Sequence, residues 1–303
     1  MILSYFKGNN FGDALNPLVW NHYFPGFFDQ DETVMFLGIG SILGFIKPTP
    51  KVKKAIVLTS GYAYDSIPKP DKRYDIRCVR GPMTADILKI DRKLAVTDGA
   101  LLLRNIPALA EEPPKKYKYC FVPHYISENM FDRWQPLFHE TGVEFVSPAQ
   151  DPLKVIRKIR ESEIVLAEAM HAAIIADTFR IPWIPVNMFR HINNFKWQDW
   201  FHSMELGEYK PVFLPRLYTK EWIEWIFFNK LGIPQNKSLN KFLSATYRGV
   251  QTHLKEYVFK KRLKIFADID PRLSDSRIMN QRLEQLIIIS RKTYTDYQSY
   301  TNS

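Results

Sequence analysis

Cysteine is scarce in this 303-residue sequence, which contains only Cys78 and Cys120. Both residues lie in apolar, strand-like surroundings, and neither takes part in a CxxC or Cys/His spacing. This pattern argues against a disulfide-linked scaffold and against a zinc site of the usual spacing. We therefore expect both thiols to be reduced, which is the default state in the cytoplasm.

Long hydrophobic runs are missing as well. The longest run, VMFLGIGSILGFI, falls short of the roughly 20 residues that span a bilayer, and Gly38, Gly40 and Ser41 interrupt it. The first residues, MILSYFKGNN, contain too short an apolar stretch for a signal sequence and are typical of a β-strand. Because internal repeats and low-complexity tracts are also missing, the sequence predicts a soluble, globular, cytoplasmic protein.

Positive charge is in excess, with 42 Lys and Arg residues against 32 Asp and Glu residues and a net charge of +10. A basic protein of this kind is expected to meet an anionic partner, which could be nucleic acid, a lipid headgroup, a phosphorylated substrate or an acidic glycan. Aromatic residues make up 14% of the sequence. This content suits a carbohydrate-facing surface, but we favour a large aromatic core.

Short β-rich runs alternate with helical patterns in the first third of the chain. The predicted helices run from Asp13 to Tyr23 and from Pro82 to Leu88. The predicted strands are ILSYF, TVMFLGIG, KAIVLTSG and DIRCVRG. Such alternation predicts a parallel sheet covered by helices.

A Pro-rich and charged stretch, NIPALAEEPPKKYK, then interrupts the pattern and is the best linker candidate. The alternation restarts with the strands YCFVPH, GVEFVSP, EIVLAE and IPWIPV and with helices predicted at 130–139, 152–161 and 170–179. After about Tyr218 the sequence becomes helical and basic. We therefore predict an α/β protein of GT-B-like architecture, with two Rossmann-like domains (1–106 and 107–218) facing across a cleft and a helical, basic C-terminal extension (219–303).

Residues that follow the predicted strands are the functional candidates, because ligands bind beyond the carboxyl ends of such strands. In GNNFGD, Asn10, Gly12 and Asp13 open a helix whose N-terminus favours an anion, although a glycine turn with an Asp cap is an equal alternative. In GIGS, Gly40 and Ser41 could present backbone N–H groups to a phosphate or carboxylate, or could form only a tight turn.

The RGPMT stretch places Arg80 at a strand end, with Pro82 suited to the first helical position. We expect the Arg80 guanidinium to point into the inter-domain cleft and grip a carboxylate or phosphate, the alternative being a surface salt bridge. In TDGALLL, Asp98 also follows a predicted strand, and a helix cap is its favoured role.

The second unit supplies a further group of candidates. His124 follows one predicted strand, and Glu168 and His171 follow another, with His171 in the first turn of a helix. Arg190, His191 and Lys196 come after the next strand and are expected to face the same cleft. A lone His is more often a satisfied core residue, but the coincidence of His, acid, strand end and cleft favours function at His171.

Taken in order, NNFGD, GIGS, RGPMT, TDGALLL and EAMHAAIIADTFRIPWIPV resemble the motifs of the polysaccharide pyruvyl transferase family. The likeness covers about the first 200 residues and is greatest to the bacterial exopolysaccharide ketal-pyruvate transferases. No single motif decides the resemblance, whereas their order and spacing together are specific.

The resemblance implies an enzyme that transfers the enolpyruvyl carbons of phosphoenolpyruvate to two hydroxyls of one sugar, releasing phosphate and leaving a cyclic ketal. It implies phosphoenolpyruvate as the donor substrate, a surface polysaccharide or its lipid-linked precursor as the acceptor, no separate cofactor and no nucleic-acid partner. Many members carry an Arg two residues before the motif His, where this chain has Ala169. Arg80, Arg190 and Lys196 are the candidates to replace it.

Ketal formation needs a general acid and a general base. We predict that His171 is the acid, acting on C3 or on the departing phosphate, and that Asp13 or Glu168 is the base. The chemistry requires no metal, and no His or carboxylate cluster has metal-ligand spacing. The predicted substrate-binding residues are Arg80, Arg190, Lys196, His124, Asn10, Gly12, Gly40 and Ser41.

Two other functions compete with this one. A GT-B nucleotide-sugar glycosyltransferase is the first, because fold does not fix function. A non-enzymatic basic module that binds membranes or glycans is the second.

The C-terminal stretch from Lys241 to Phe266 is predicted to form one amphipathic helix. Its predicted apolar stripe consists of Leu243, Tyr247, Val250, Leu254 and Val258. Its basic end consists of Lys255, Lys260, Lys261, Arg262 and Lys264. The favoured role is packing on the α/β body, and the alternative is contact with an anionic membrane surface at the inner face, where a lipid-linked glycan would be presented.

Overall fold

The structure is a computed structural model that describes residues 1–67, 69–131, 133–217, 225–234, 236–247 and 255–298. Its first sheet has four parallel strands in the order β1-β2-β3-β4. These strands are β1 (Ile2–Ser4), β2 (Val34–Leu37), β3 (Lys54–Leu58) and β4 (Tyr74–Cys78). β2 is buried along its whole length, which explains why its sequence is continuously apolar rather than alternating.

The second sheet has five parallel strands in the order β6-β5-β7-β8-β9. Its strands are β5 (Tyr117–Val122), β6 (Val143–Phe145), β7 (Ser162–Ala167), β8 (Trp183–Asn187) and β9 (Val212–Phe213). The chain forms β5 first, adds β6 on one side and then β7 on the other, so the direction of winding reverses between β5 and β7. Such a reversal opens a crevice at the carboxyl ends of the two strands.

Helices connect and flank the strands. In the first part of the chain they are α1 (Phe11–Tyr23) and α2 (Pro82–Leu88). In the second part they are α3 (Tyr125–Glu128), α4 (Trp134–His139), α5 (Pro152–Arg160), α6 (Met170–Thr178) and α7 (Asn194–Ser203). The last helices are α8 (Lys237–Tyr247), α9 (Glu256–Leu263) and α10 (Ser276–Tyr297). A 3₁₀-helix at Gly99–Asn105 packs against α6.

Local sequence signals explain where several helices begin. Asp151 caps α5 by accepting hydrogen bonds from the N–H groups of Leu153 and Lys154, and Pro152 occupies the first position. Pro82 likewise occupies the first position of α2. The Lys89 residue that ends α2 adopts the left-handed conformation, which closes that helix.

The structure corrects three predicted elements. The helix predicted at 130–139 is replaced by α3 and α4, with His124 capping α3 and Arg133 preceding α4. Asp98 does not follow a strand. Ala95, three residues before it, forms only an isolated bridge with Val79. The predicted strand ends GIG and TSG lie beyond the paired residues, because the ladder between β2 and β3 ends at Leu37 and Val57.

One continuous apolar core takes side chains from around both sheets and from α10, including Trp20, Ile175 and Leu286. The end of α10 lies against the first sheet, where Asp296 pairs with Arg77 and the Tyr297 hydroxyl donates to Asp75 at 2.6 Å. The chain therefore passes through the second sheet before its last helix returns to the first.

The single helix predicted at 241–266 differs from the structure over the described residues. The structure describes α8, α9 and a 3₁₀-helix at Lys264–Asp268, and residues 248–254, with Val250 and Leu254 of the predicted stripe, lie outside the described part. Leu243 is buried, but Val258 is 44% exposed and Phe259 is buried in its place. Within the described residues, no helix combines the length and apolarity needed to cross a membrane.

An α/β protein with two parallel sheets and helices is therefore confirmed. The GT-B assignment and the domain limits at 106 and 218 stay predictions.

Candidate active site

A cavity of about 420 Å³ lies beyond the carboxyl ends of both sheets. From the first sheet it takes residues that follow β1, β2 and β3, and from the second it takes residues that follow β5, β7 and β8. His124 follows β5 and Ala169 to His171 follow β7, so the cavity lies at the point where the winding of the second sheet reverses. Its volume is within the usual range for a small-molecule site.

The start of α1 forms one wall of the cavity. Asn10 caps the helix, with its Oδ1 accepting the Gly12 N–H at 3.3 Å, while its Nδ2 donates to the Asp13 carboxylate. Asn16 holds the same helix to the loop after β2, because its Nδ2 donates to the Ile39 carbonyl at 2.9 Å and its Oδ1 accepts the Ile39 N–H at 2.8 Å. Asn10 before Asp13 and Asn16 after it therefore hold in place the turn of α1 that carries Asp13.

Asp13 is buried at the cavity wall. Burial raises the pKa of its carboxyl group, and the His171 imidazole, the Asn10 hydrogen bond and the Lys196 ammonium oppose part of that rise. Gly40 lies directly beside this carboxylate with φ at +123°, and a Cβ there would lie 2.8 Å from Asp13 Oδ1. The second glycine of GIGS therefore leaves room for the acid.

His171 projects from the first turn of α6 into the same wall. Its Nδ1 lies on the side of Gly12, where a Cβ would come within 2.0 Å of that nitrogen. The FGD sequence therefore combines two requirements, since Gly12 gives His171 its space and Asp13 supplies the adjacent carboxylate.

The other ring nitrogen of His171, Nε2, points to a buried carboxylate. Nε2 lies 3.6 Å from Asp98 Oδ2, and neither atom has a hydrogen-bond partner among the residues that the structure describes. Burial alone would raise the pKa of Asp98, but His171, the Ala100 N–H and the Arg80 guanidinium together hold it below its usual value. Asp98 is therefore a buried carboxylate oriented towards His171 at slightly more than hydrogen-bond distance.

The packing of α6 on Gly99–Asn105 creates this pair, because it brings the start of one element to the start of the other. Asp98 caps the 3₁₀-helix by accepting the Ala100 N–H at 3.0 Å through Oδ1. Its predicted role as a cap is thus confirmed, and Oδ2 remains directed at His171.

The N-terminus of α6 carries no side-chain cap. Its N-cap residue is Ala169, and Ala169, Met170 and His171 all line the cavity. A helix N-terminus attracts anions through its first N–H groups and its dipole. Lys196 lines the cavity as well, with its Nζ 3.2 Å from the Tyr64 hydroxyl. These groups give the cavity an anion-attracting side.

Two further histidines, His124 and His191, line the cavity with ring centres 5.1 Å apart. Burial, with the Lys196 ammonium and the neighbouring imidazole, holds the pKa of His124 well below its usual value. Burial and Lys196 lower the pKa of His191 to about 4. Both rings are therefore neutral near pH 7 and offer hydrogen bonds rather than charge.

Two comparisons with known proteins match parts of this sequence. Residues 69–188 match the family model described as Polysaccharide pyruvyl transferase. The Succinoglycan biosynthesis protein ExoV of Rhizobium meliloti (strain 1021) is 36% identical over 208 residues. That alignment covers 68% of this chain and 65% of the relative, so the chain spans slightly less than two thirds of its length.

This chain belongs to the polysaccharide pyruvyl transferase family. The region matched by the family model contains RGPMT, TDGALLL and the EAMH motif, and so includes Asp98, His124 and His171. The resemblance recognised from the sequence is thereby confirmed.

Six of the residues predicted for the site line the cavity: Asn10, Asp13, Ser41, His124, His171 and Lys196. Gly12 and Gly40 lie behind the wall as the close neighbours of His171 and Asp13. The structure therefore brings together predicted site residues that are up to 186 positions apart in the chain, from Asn10 to Lys196.

Arg80 does not point into the cavity as expected. Its side chain is fully buried, and its Nε donates to Asp199 at 3.2 Å. Its Nη1 donates to Ser41 at 2.5 Å and its Nη2 to the Tyr62 carbonyl at 3.1 Å. Since α2 packs on α7, Asp199 reaches both Arg80 and the first turn of α2. Arg80 therefore holds Ser41 in place from behind the cavity wall.

Glu168 is also buried behind the wall. Its two carboxylate oxygens accept the N–H groups of His124 at 3.0 Å and of Met188 at 2.9 Å. It therefore joins the segments that follow β5 and β8, and burial raises the pKa of its carboxyl group despite these bonds. A proton-transfer role would require access that this position does not provide.

Arg190 is exposed and is not among the cavity residues. Of the three cations considered as replacements for the Arg missing at Ala169, Lys196 alone among the described residues lines the cavity. No group of three or more His, Cys, Asp or Glu residues in the described part of the chain could hold a metal ion.

Sequence reasoning missed three contributions to the site. The contact of Asp98 with His171 joins residues 73 positions apart and carries no local signal. Asp199, which holds Arg80, appears in the sequence as an ordinary helix residue. Asn16 had a weak signal, since it is a polar residue within the buried face of α1.

Proposed function

We propose that this protein transfers the pyruvyl group of phosphoenolpyruvate to two hydroxyls of one sugar in a bacterial polysaccharide or its lipid-linked precursor. The product is a cyclic ketal and the leaving group is phosphate. Family membership supports the reaction class, and the name of the R. meliloti relative, a succinoglycan biosynthesis protein, supports a polysaccharide acceptor. The observation that carries the proposal is that Asp13, His171 and Lys196 line one cavity together with an uncapped helix N-terminus.

The donor would bind on the anion-attracting side. Phosphoenolpyruvate carries a phosphate and a carboxylate on three carbons, so it needs cations and N–H donors within a short distance. The first turn of α6 suits one anionic group, and the Lys196 ammonium suits the other. Ala169 leaves space at this point, and Lys196 takes the place of the Arg that many members carry there. Ser41, held by Arg80, offers a further hydrogen bond.

The acid would come from the start of α6 and the base from the start of α1. His171 donates a proton to C3 of the enol ether while the first sugar hydroxyl adds to C2 and gives its proton to Asp13. The second hydroxyl then displaces phosphate from C2, its proton leaves on the departing phosphate, and the proton held by Asp13 returns to His171. A carboxyl group whose pKa is raised by burial accepts a proton more readily than an exposed one. Asp13 is therefore the better base, because Glu168 lies outside the cavity.

Asp98 would orient His171. A carboxylate at Nε2 holds a proton on that nitrogen and stabilises the imidazolium that donates from Nδ1, and the neutral ring left after the transfer keeps its proton on Nε2. Nδ1, beside Gly12 and Asp13, then becomes the nitrogen that exchanges protons with the substrate.

The binding test compares donors by thermal shift. Phosphoenolpyruvate should raise the melting temperature of the parent protein, whereas UDP-, GDP- and CMP-sugars should not. Lys196→Ala should abolish the shift. Arg190→Ala, which removes an exposed cation outside the cavity, should retain it. A shift with a nucleotide-sugar and none with phosphoenolpyruvate would instead support a glycosyltransferase.

Turnover is tested by mass spectrometry. A panel of synthetic and lipid-linked glycans is incubated with phosphoenolpyruvate, and the added mass of a pyruvyl ketal is expected on at least one of them together with release of phosphate. Binding of phosphoenolpyruvate without any transfer would contradict the enzymatic reading and support a binding module.

The finer architecture and location form part of the same proposal. We infer a GT-B-like arrangement of the two sheets, because both contribute residues to one cavity. We also infer a location in the cytoplasm, because phosphoenolpyruvate is made there.

The basic group Lys260, Lys261 and Arg262 would contact an anionic membrane, although Lys260 already pairs with Glu140. Co-sedimentation should show salt-sensitive binding to anionic liposomes and none to neutral ones, and substitution of the three residues by Gln should remove it.

A further inference from the structure

Four aromatic rings surround the mouth of the cavity. They belong to Phe6, Phe45, Tyr64 and Tyr125. The first three are 37%, 38% and 36% exposed, and Tyr125 is partly exposed. The charged residues described above lie in the same cavity, so its lining combines an aromatic part and a charged part.

The rings form a wall rather than a packed core. Phe6 lies 6.5 Å from Phe45 in an edge-on arrangement, and 6.2 Å from Tyr125 at a tilt of 42°. Gly8 allows this position of Phe6, because a Cβ on Gly8 would lie 2.2 Å from the Phe6 ring. Phe6 and Phe45 follow β1 and β2 of the first sheet, whereas Tyr125 follows β5 of the second. Both sheets therefore contribute to the wall.

Few phenylalanines are exposed in the described part of the chain. Among those whose side chains the structure describes, four are more than a third exposed, and two of these, Phe6 and Phe45, line the cavity. Single exposed apolar residues are ordinary, but a contiguous group at a cavity marks a binding surface. The apolar faces of these rings would be covered by a ligand that is itself partly apolar.

We propose that Phe6, Phe45 and Tyr125 form the subsite for the acceptor sugar, with the C–H face of a pyranose ring stacked on this aromatic wall. This inference rests on the proposed function. A pyranose combines a face of C–H groups with a rim of hydroxyls, so it matches aromatic rings next to polar side chains. Asp65 and Asn10 line the same cavity and offer oxygen and amide groups to the hydroxyls.

The aromatic part and the charged part of the cavity lining together set the orientation of the bound acceptor sugar. The wall holds the ring at the mouth, so its hydroxyl pair points inward to Asp13 and His171, while the rest of the glycan extends into solvent. A donor that is fully anionic gains nothing from the aromatic wall, whereas the sugar does. Changes to the wall should therefore affect the acceptor and spare the donor.

The binding test uses saturation-transfer-difference NMR in the presence of phosphoenolpyruvate. The probes are bacterial oligosaccharides, synthetic or hydrolysed, that end in galactose, glucose or mannose. At least one should receive saturation on the C–H protons of a single face of its terminal ring. Phe45→Ala and Phe6→Ala should reduce that signal at least fivefold, and Phe45→Trp should retain it. Phe213→Ala, an exposed phenylalanine outside the cavity, is the matched control and should match the parent.

The kinetic test uses any oligosaccharide that is turned over. Phe45→Ala should raise the acceptor KM about tenfold, a ratio equivalent to about 1.4 kcal/mol, and leave the phosphoenolpyruvate KM unchanged. An unchanged acceptor KM, or a parent that binds phosphoenolpyruvate but no sugar of the panel, would overturn the subsite and spare the donor site. A parent that binds no phosphoenolpyruvate would overturn the proposed function itself.

Discussion

Two buried acid–base pairs join the first part of the chain to the second, and they differ in how completely their atoms are bonded. In the first, Arg80 and Asp199 are fully buried, and Asp199 also accepts the N–H and hydroxyl of Thr84 at 2.9 and 2.6 Å. In the second, Asp98 and His171 lie 3.6 Å apart without a hydrogen bond.

We infer from this difference in hydrogen bonding that the first pair stabilises the fold and that the second pair takes part in the reaction. A buried ion pair whose lone pairs and protons are all satisfied is rigid, and removal of one partner leaves a buried charge uncompensated. A buried pair with unsatisfied atoms at a cavity wall can change its proton or its partner when a substrate arrives. The surroundings of the two pairs in the fold, rather than their residue types, distinguish them.

The largest effect is expected on stability at the first pair. Arg80→Ala should lower the free energy of unfolding by about 3–5 kcal/mol, because Asp199 would remain buried without its cation. Chemical denaturation measures this loss, with Arg190→Ala as the exposed control that should stay within about 0.5 kcal/mol of the parent. A stable Arg80→Ala protein with a raised phosphoenolpyruvate KM would instead return Arg80 to the donor site.

At the second pair the effect should fall on turnover. His171→Ala should leave folding intact and reduce kcat by a factor of about 10² or more, the usual scale for the loss of a general acid. Circular dichroism and steady-state kinetics on the same samples separate the two quantities. Near-parent turnover would remove His171 from the mechanism.

Asp98→Asn should reduce kcat by a smaller factor, about 10- to 100-fold. The Asn side chain still accepts the Ala100 N–H as a helix cap, but it does not hold a proton on His171 Nε2. In ¹⁵N-histidine NMR the His171 signal should change tautomer. The Asp199→Asn variant should lower stability and leave that signal unaltered. If Asp98→Asn preserves both kcat and the tautomer, Asp98 is only a helix cap.

The smallest effect is expected from the neutral histidines. The pKa values of His124 and His191 are lower in the folded protein than the ordinary value of 6.5, so the unfolded chain binds more protons below that pH. Stability should therefore fall as the pH decreases from about 6.5 towards 4. The double variant His124→Asn/His191→Asn should show a shallower fall of the melting temperature than the parent, with His139→Asn as a surface control. An identical pH dependence would contradict the neutral state of these rings.

The sequence predicts elements better than side-chain partners. β7 and α6 follow directly from EIVLAE and an apolar helical run, since periodicity and burial are local properties. Helix caps and glycine conformations also depend mostly on neighbouring residues, which explains why the sequence predicts that Asn10, Asp13 and His171 lie at the site. Arg80 and Glu168 were not, because their partners are distant in sequence. Asp199 lies 119 positions after Arg80, and the His124 N–H lies 44 positions before Glu168.

The position of α10 has a consequence for how the chain folds during synthesis. Tyr294 stacks on Phe27 with ring centres 4.7 Å apart, and Met279 and Leu283 are buried in the core around α1. The ribosome therefore releases the first sheet long before the helix that completes its core, so the part of the α1 surface that α10 covers remains open while the second sheet is being made. Domains that complete their cores early fold in order of synthesis. Here the amino-terminal region must wait for residues 276–297, and a nascent chain stalled before them would present this surface to chaperones.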